Sequence, residues 1–67
     1  MISIFINSLS HDFDQPLSVS ELIQKMELSN KRIALERNGE IVPRSQFHQQ
    51  LLADGDKLEI VIAVGGG

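Results

Sequence analysis

Few residues in this chain could carry chemistry, and most of those can be set aside on their spacing. The two histidines, His11 and His48, fall in a weak strand and a polar loop with no partner at relay or ligand spacing. Isolated histidines in such places are ordinary surface residues. Asp54 and Asp56 flank Gly55, which could suggest acid–base work or a calcium loop. A calcium loop, however, needs a longer series of oxygen ligands ending in a glutamate, and a tight turn before a strand explains the pair better. The chain has no cysteine, hence no thiolate nucleophile, no disulfide framework and no thiolate zinc site. What remains is Val61-Ile62-Ala63-Val64-Gly65-Gly66-Gly67, an apolar run that breaks into three glycines. That leaves a terminal carboxylate with no side chain beside it. Without Cβ atoms the stretch is expected to be a thin, flexible tail. No helix follows the glycines, so they do not form a phosphate cradle. A frayed terminus or a cloning scar is the plain alternative.

The elements that would position such a tail follow from composition and pattern. Sixty-seven residues make one domain near the lower limit for folding without staples. A content of 42% hydrophobic and 22% charged residues is that of a globular chain. The longest apolar run, Ile60 to Val64, is too short to span a bilayer, and the N-terminus lacks a basic region followed by an apolar core. The expectation is a cytoplasmic protein with no membrane partner, monomeric when free. A net charge of −3, six scattered Lys and Arg residues and three aromatics, all Phe, argue against nucleic acid.

Along the chain, Ile2, Ile4 and Ile6 alternate with polar or outward residues as in a half-buried strand. Asn7-Ser8 marks a turn, and Leu9 to Phe13 a weaker second strand. Ser18-Val19-Ser20-Glu21 is a capping box, with Leu17 and Leu22 at the spacing of a hydrophobic staple. Val19, Leu22, Ile23 and Met26 then form one apolar stripe, predicting a helix from Val19 to about Glu27. A helix that short is marginal alone, so it must lie on a sheet. Ile33 to Arg37 reads as a strand, Asn38-Gly39 as a hairpin turn, and Ile41-Val42 as a return strand stopped by Pro43. Ser45 could cap a short helical turn with Phe47, Leu51 and Leu52 facing in. After the turn at Ala53 to Asp56, Leu58, Ile60, Ile62 and Val64 share one face of a last strand.

The order β-β-α-β-β-(short helix)-β, with the first and last strands the most apolar, makes those two the central pair, and the helix between them permits parallel pairing. This is an α+β chain of the β-grasp, ubiquitin-like class: a mixed sheet of four to five strands with one main helix packed on one face. The domain is expected over residues 1–64 and the glycine tail over 65–67. Phe5, Ala34, Val61 and Ala63 would then face away from the helix. Four such residues beside the tail are expected to form a contiguous partner-binding patch.

At this point the residues resemble a known family. Ile41-Val42-Pro43-Arg44-Ser45 after the hairpin, Asp54-Gly55-Asp56 before the last strand, and terminal Gly66-Gly67 in a chain this short are similar to the ThiS/MoaD family. Within it the likeness is to the ThiS sulfur carriers of thiamine biosynthesis, and it spans essentially the whole chain. The Asp-Gly-Asp turn is shared with the small subunit of molybdopterin synthase; the Val-Pro-Arg segment is the more discriminating mark. Gly65 is a mild departure from the bare glycine pair.

The resemblance implies a mechanism. A ThiF-type adenylyltransferase would use ATP to convert the Gly67 carboxylate into a glycyl adenylate. Sulfur from a cysteine desulfurase would replace AMP, giving a thiocarboxylate (1-thioglycine) at Gly67. A ThiG-type thiazole synthase would accept that sulfur. Gly65 and Gly66 would thread the partner's active site, where a Cβ would clash. The chain itself would be a co-substrate rather than an enzyme, with no bound cofactor or metal. The alternatives are a molybdopterin-type carrier, a ubiquitin-like modifier, or a β-grasp interaction module with an inert tail.

Overall fold

A computed structural model describes residues 1–63 of the chain. Val64 and the glycines Gly65, Gly66 and Gly67 lie outside the described residues, and with them the last residue of the expected domain and the whole of the expected tail. The elements are β1 (Ile2–Ile6), β2 (Leu9–Phe13), α1 (Val19–Lys25), β3 (Ile33–Arg37), β4 (Glu40–Ile41), a 3-10 turn (Arg44–Gln46) and β5 (Lys57–Ile62). The five strands form one mixed sheet in the order β2-β1-β5-β3-β4. β1 and β5 run parallel, and every other neighbouring pair is antiparallel. The first and last strands are thus adjacent inside the sheet, with α1 in the crossover between them, as their apolar character predicts.

Both hairpins turn on residues that accept positive φ. Asn7 and Ser8 have φ of 49° and 71°, and Asn38 and Gly39 have φ of 52° and 87°. Turns of this hand match the twist of the strands they join. The core lies between one sheet face and the helix side: Ile4, Leu22, Leu35, Leu58 and Val19 are fully buried, with Ile2, Ile6, Ile23, Phe47 and Leu52 around them. Burying each such side chain contributes roughly 1.5–3 kcal/mol, which a domain this small needs.

The helix N-terminus is closed completely. Ser18 accepts from the Glu21 N–H at 3.1 Å, and Glu21 accepts from the Ser18 N–H at 2.9 Å, so the capping box is present as read. The two remaining free N–H groups of the first turn donate to the segment beyond the 3-10 turn, Val19 to Gln50 at 3.0 Å and Ser20 to Phe47 at 2.9 Å. One short helix is thereby stitched to the only other helical turn among the described residues.

Five local expectations need correction. The helix stops at Lys25, because Glu27 takes a φ of 59° and Leu28 bonds back to Ile23 at 2.9 Å; Met26 is the C-cap and only half-buried. β4 comprises Glu40–Ile41 rather than Ile41-Val42; Val42 turns inward and is buried. The 3-10 turn is preceded by Pro43 at its N-cap, not by Ser45, and it has no side-chain cap. Leu51, expected inside, is 65% exposed, and Ile62 is 44% exposed. Leu51 bridges Ser18 through its backbone, which hands the inward position to Leu52. Ile62 lies past the end of β1, whose pairing with β5 stops at Leu58.

Candidate functional site

The tail identified in the sequence grows out of β5, so the site begins with what holds β5. At its start, Asp56 is buried and collects four interactions. The Ala53 N–H donates to Oδ2 at 2.8 Å, the Asn38 amide to Oδ1 at 3.1 Å, and Arg37 approaches Oδ2 through Nε at 3.0 Å and Nη2 at 2.8 Å. Burial pushes the Asp56 carboxyl up, but the Ala53 N–H, the Asn38 amide and the Arg37 guanidinium outweigh it and hold the group below the usual carboxylate range. Asn38 also accepts from the Lys57 N–H at 3.0 Å. This network locks the Asp-Gly-Asp turn to the β3–β4 hairpin. It is structural, and it fixes where β5 starts.

Further along, the backbone N–H groups of Phe5 and Asn7 donate to Asp56 and Leu58, each at 2.9 Å. The Asn7 side chain then takes over from the strand. Its Oδ1 accepts from the Ile60 N–H at 2.7 Å and its Nδ2 donates to the Ile60 carbonyl at 3.1 Å. The last described residue, Ala63, donates its N–H to the Arg32 carbonyl at 2.8 Å. The chain therefore enters its final four residues from a central strand whose length is bonded on at least one side.

The four residues expected in a patch, Phe5, Ala34, Val61 and Ala63, are all exposed. Ala34 and Val61 are direct cross-strand partners. Phe5 instead sits opposite Lys57, four residues from Val61 along β5, or about 13 Å at ~3.3 Å per residue. Glu59 lies between them on the same face. The patch is consequently two apolar areas divided by charge, not the contiguous surface expected. Sequence reading missed Ile41, which is 75% exposed and pairs with Glu36 on the face that carries Ala34. The hairpin register implied by Asn38-Gly39 contains that information.

His11 and His48 are both exposed, and no group of three or more potential metal ligands exists among the described residues. An open groove beside α1, lined by Ile23, Leu28, Arg44, Phe47 and His48 among others, has no orphaned buried side-chain polar atom aimed into it among the described residues.

Comparison with known proteins bears on this site. The model of the ThiS family matches residues 4–67 of the chain. A thiazole synthase of Paramagnetospirillum magneticum is 39% identical over 66 residues, covering 98% of this chain but only 20% of that protein, so the chain spans about a fifth of its length. The sulfur carrier protein ThiS of Bacillus subtilis is 40% identical over 50 residues, covering 75% of this chain and 76% of that one. Among solved structures, a thiamine biosynthesis protein (ThiS) from Geobacter metallireducens superposes with a TM-score of 0.84 at 28% identity, covering 98% of this chain and all of that one.

Proposed function

This chain belongs to the ThiS family, and on that premise we propose that it is a sulfur carrier of thiamine biosynthesis whose working group is the Gly67 carboxylate. The observation that carries the reading is the junction at Ala63: a central sheet strand, bonded to Arg32 at its last described residue, leads directly into a glycine run in a chain without cysteine. No thiol is available to hold sulfur, so the terminus is the remaining carrier group.

The chemistry proposed is group transfer in two steps. A carboxylate is a poor acyl donor. Attack of a Gly67 oxygen on the α-phosphate of ATP expels pyrophosphate and gives an acyl adenylate, whose AMP is a good leaving group. The persulfide of a cysteine desulfurase, or of a thiol it has loaded, then attacks the acyl carbon and displaces AMP with one of the original oxygens, and a second thiol reduces the acyl–S–S bond, leaving a thiocarboxylate on Gly67 and a disulfide on the partner. The partners hold the ATP and the reacting groups: a ThiF-type adenylyltransferase for the first step, a ThiG-type thiazole synthase for delivery. Support for the second partner comes from the similar stretch that makes up a fifth of a thiazole synthase. Gly65 and Gly66 let the tail thread a channel too narrow for side chains, while Val61, Ala34 and Ala63, with Phe5 further along, contact the partner's surface.

Intact-mass measurement of the chain after incubation with ATP, a cognate adenylyltransferase and a sulfur source tests the proposal. Exchange of one oxygen for sulfur at Gly67 is expected. An unchanged mass in the presence of active enzyme rules it out, and attachment to a lysine of another protein identifies a modifier instead.

A further inference from the structure

Of the six basic residues, Lys31 and Arg32 are adjacent in sequence and the fold brings a third, Arg44, to them. Ala63 donates to the Arg32 carbonyl at 2.8 Å, so Lys31 and Arg32 lie where β5 delivers the chain to its last residues. Arg44, from the 3-10 turn, reaches the same place and donates through Nη2 to the Lys31 carbonyl at 3.2 Å. All three residues are exposed. The one ion pair among the described residues is Arg37 with Asp56, so no described carboxylate neutralises Lys31, Arg32 or Arg44. Glu27, Glu36 and Glu40, each four residues in sequence from one of them, are all outside ion-pair distance.

Carboxylates collect at the other end. β1 and β5 are parallel with Phe5 opposite Lys57, which puts the first residues of β1 beside the turn that precedes β5. There Ser3 bonds both Asp12, at 2.6 Å, and Asp54, at 2.7 Å, while Asp56, two residues on, is paired with Arg37. Charge at that end is mixed, because Lys57 opens β5 close to Asp12 and Asp54, whereas the exposed charged residues where the tail begins are basic. A cluster of one sign beside the working segment orients the molecule before contact.

We infer that Lys31, Arg32 and Arg44 form a cationic collar around the root of the tail, and that this collar docks on a carboxylate-lined rim of the opening through which the adenylyltransferase admits Gly67. The inference rests on the carrier reading above. Geometry separates a protein rim from the nucleotide as the collar's target. Four residues join Ala63 to Gly67, and an extended chain spans about 3.3–3.6 Å per residue. With the tail drawn out to its full span of roughly 13 Å, the collar stands behind the Gly67 carboxylate, at the mouth of the channel rather than at the α-phosphate. Its charge then acts on docking and orientation, which appear in the encounter rate and depend on salt.

The test uses the full chain with its cognate adenylyltransferase and follows carrier-dependent exchange of pyrophosphate into ATP. The double variant Lys31→Glu with Arg32→Glu is expected to lose at least about tenfold in kcat/KM for the carrier at low salt. The loss should fall on KM, with kcat kept, and shrink as salt rises. Lys25→Glu, on the helix and away from the collar, should behave as wild type. Arg44→Gln provides a second arm with a smaller loss of the same kind, should the double variant melt below the assay temperature. Variants equal to wild type at low salt, a loss indifferent to salt, or a change in the KM for ATP instead would each overturn the collar alone. Absence of exchange with the wild-type chain and a competent enzyme would overturn the carrier reading and the collar with it.

Discussion

Glu36 and Glu59 face each other directly across β3 and β5, a like-charged pair in register in the middle of the exposed sheet face. Both are exposed, and like charges at opposed positions destabilise a sheet. Glu59→Gln should therefore raise the stability of the isolated domain by about 0.2–1 kcal/mol, more at low salt than at high salt. Urea titrations at two ionic strengths measure it. A destabilised variant would show that Glu59 has a favourable partner which the register does not reveal.

Asp56 makes stability depend on acid. Its folded pKa lies below the unfolded value of about 3.9. The stabilisation is thus fully present above roughly pH 4 and is lost as pH falls through the folded value. Asp56→Asn removes the ion pair with Arg37 and should cost about 1–3 kcal/mol near pH 7. The gap between variant and wild type should close on acidification. A gap that does not narrow as pH falls below about 4 would mean that shape rather than charge holds the turn.

Ser18 supports the helix through one hydroxyl. Ser18→Ala leaves the Glu21 N–H without its acceptor and should lower stability by about 1 kcal/mol. Ser18→Asp should retain most of it. Thermal melts of the two variants side by side distinguish capping from simple loss of a buried atom.

Removal of Gly66 and Gly67 should abolish thiolation and leave the melting temperature unchanged. A large drop in melting temperature would contradict a tail that contributes nothing to the fold.

Val61→Asp should weaken binding to the adenylyltransferase with little unfolding, because Val61 is 64% exposed and packs on Ala34 only across the strand pair. Phe5→Asp should do less, being separated from Val61 by Glu59. Equal effects of the two would restore the single continuous patch.

Much of this was legible in the chain because the signals were local. The capping box, the Asn38-Gly39 turn and the alternating isoleucines of β1 each act within a few residues, and all three formed as read. The errors arose where a distant segment decided the outcome. Leu51 and Ile62 match the apolar pattern, yet Leu51 is used as a bridge to Ser18 and Ile62 runs past its neighbour's end. Asp56 reads as one half of a turn; only the fold brings Arg37 and Asn38 to it. Asn7 reads as a turn residue, and nothing in its surroundings announces a double bond to Ile60, 53 positions away. The glycine run was visible at once, whereas Arg44 joins the adjacent Lys31 and Arg32 only through the 3-10 turn, and all three reach the root of the tail only through Ala63.

The carboxamide of Asn7 has a mechanical consequence. β1 ends at Ile6, and Asn7 provides the last rung on that side of β5 at Ile60. Beyond it the strand is tied only to β3, through Ile62 opposite Ile33 and Ala63 on Arg32. β5 is therefore built as a cantilever, clamped on both flanks over its inner half and on one flank over its outer half. A pull on the end meets fewer bonds along the outer half than inside Asn7, so the outer half is the part expected to yield first. On the carrier role proposed above, such a strand lets the chain pass between partners without being unfolded.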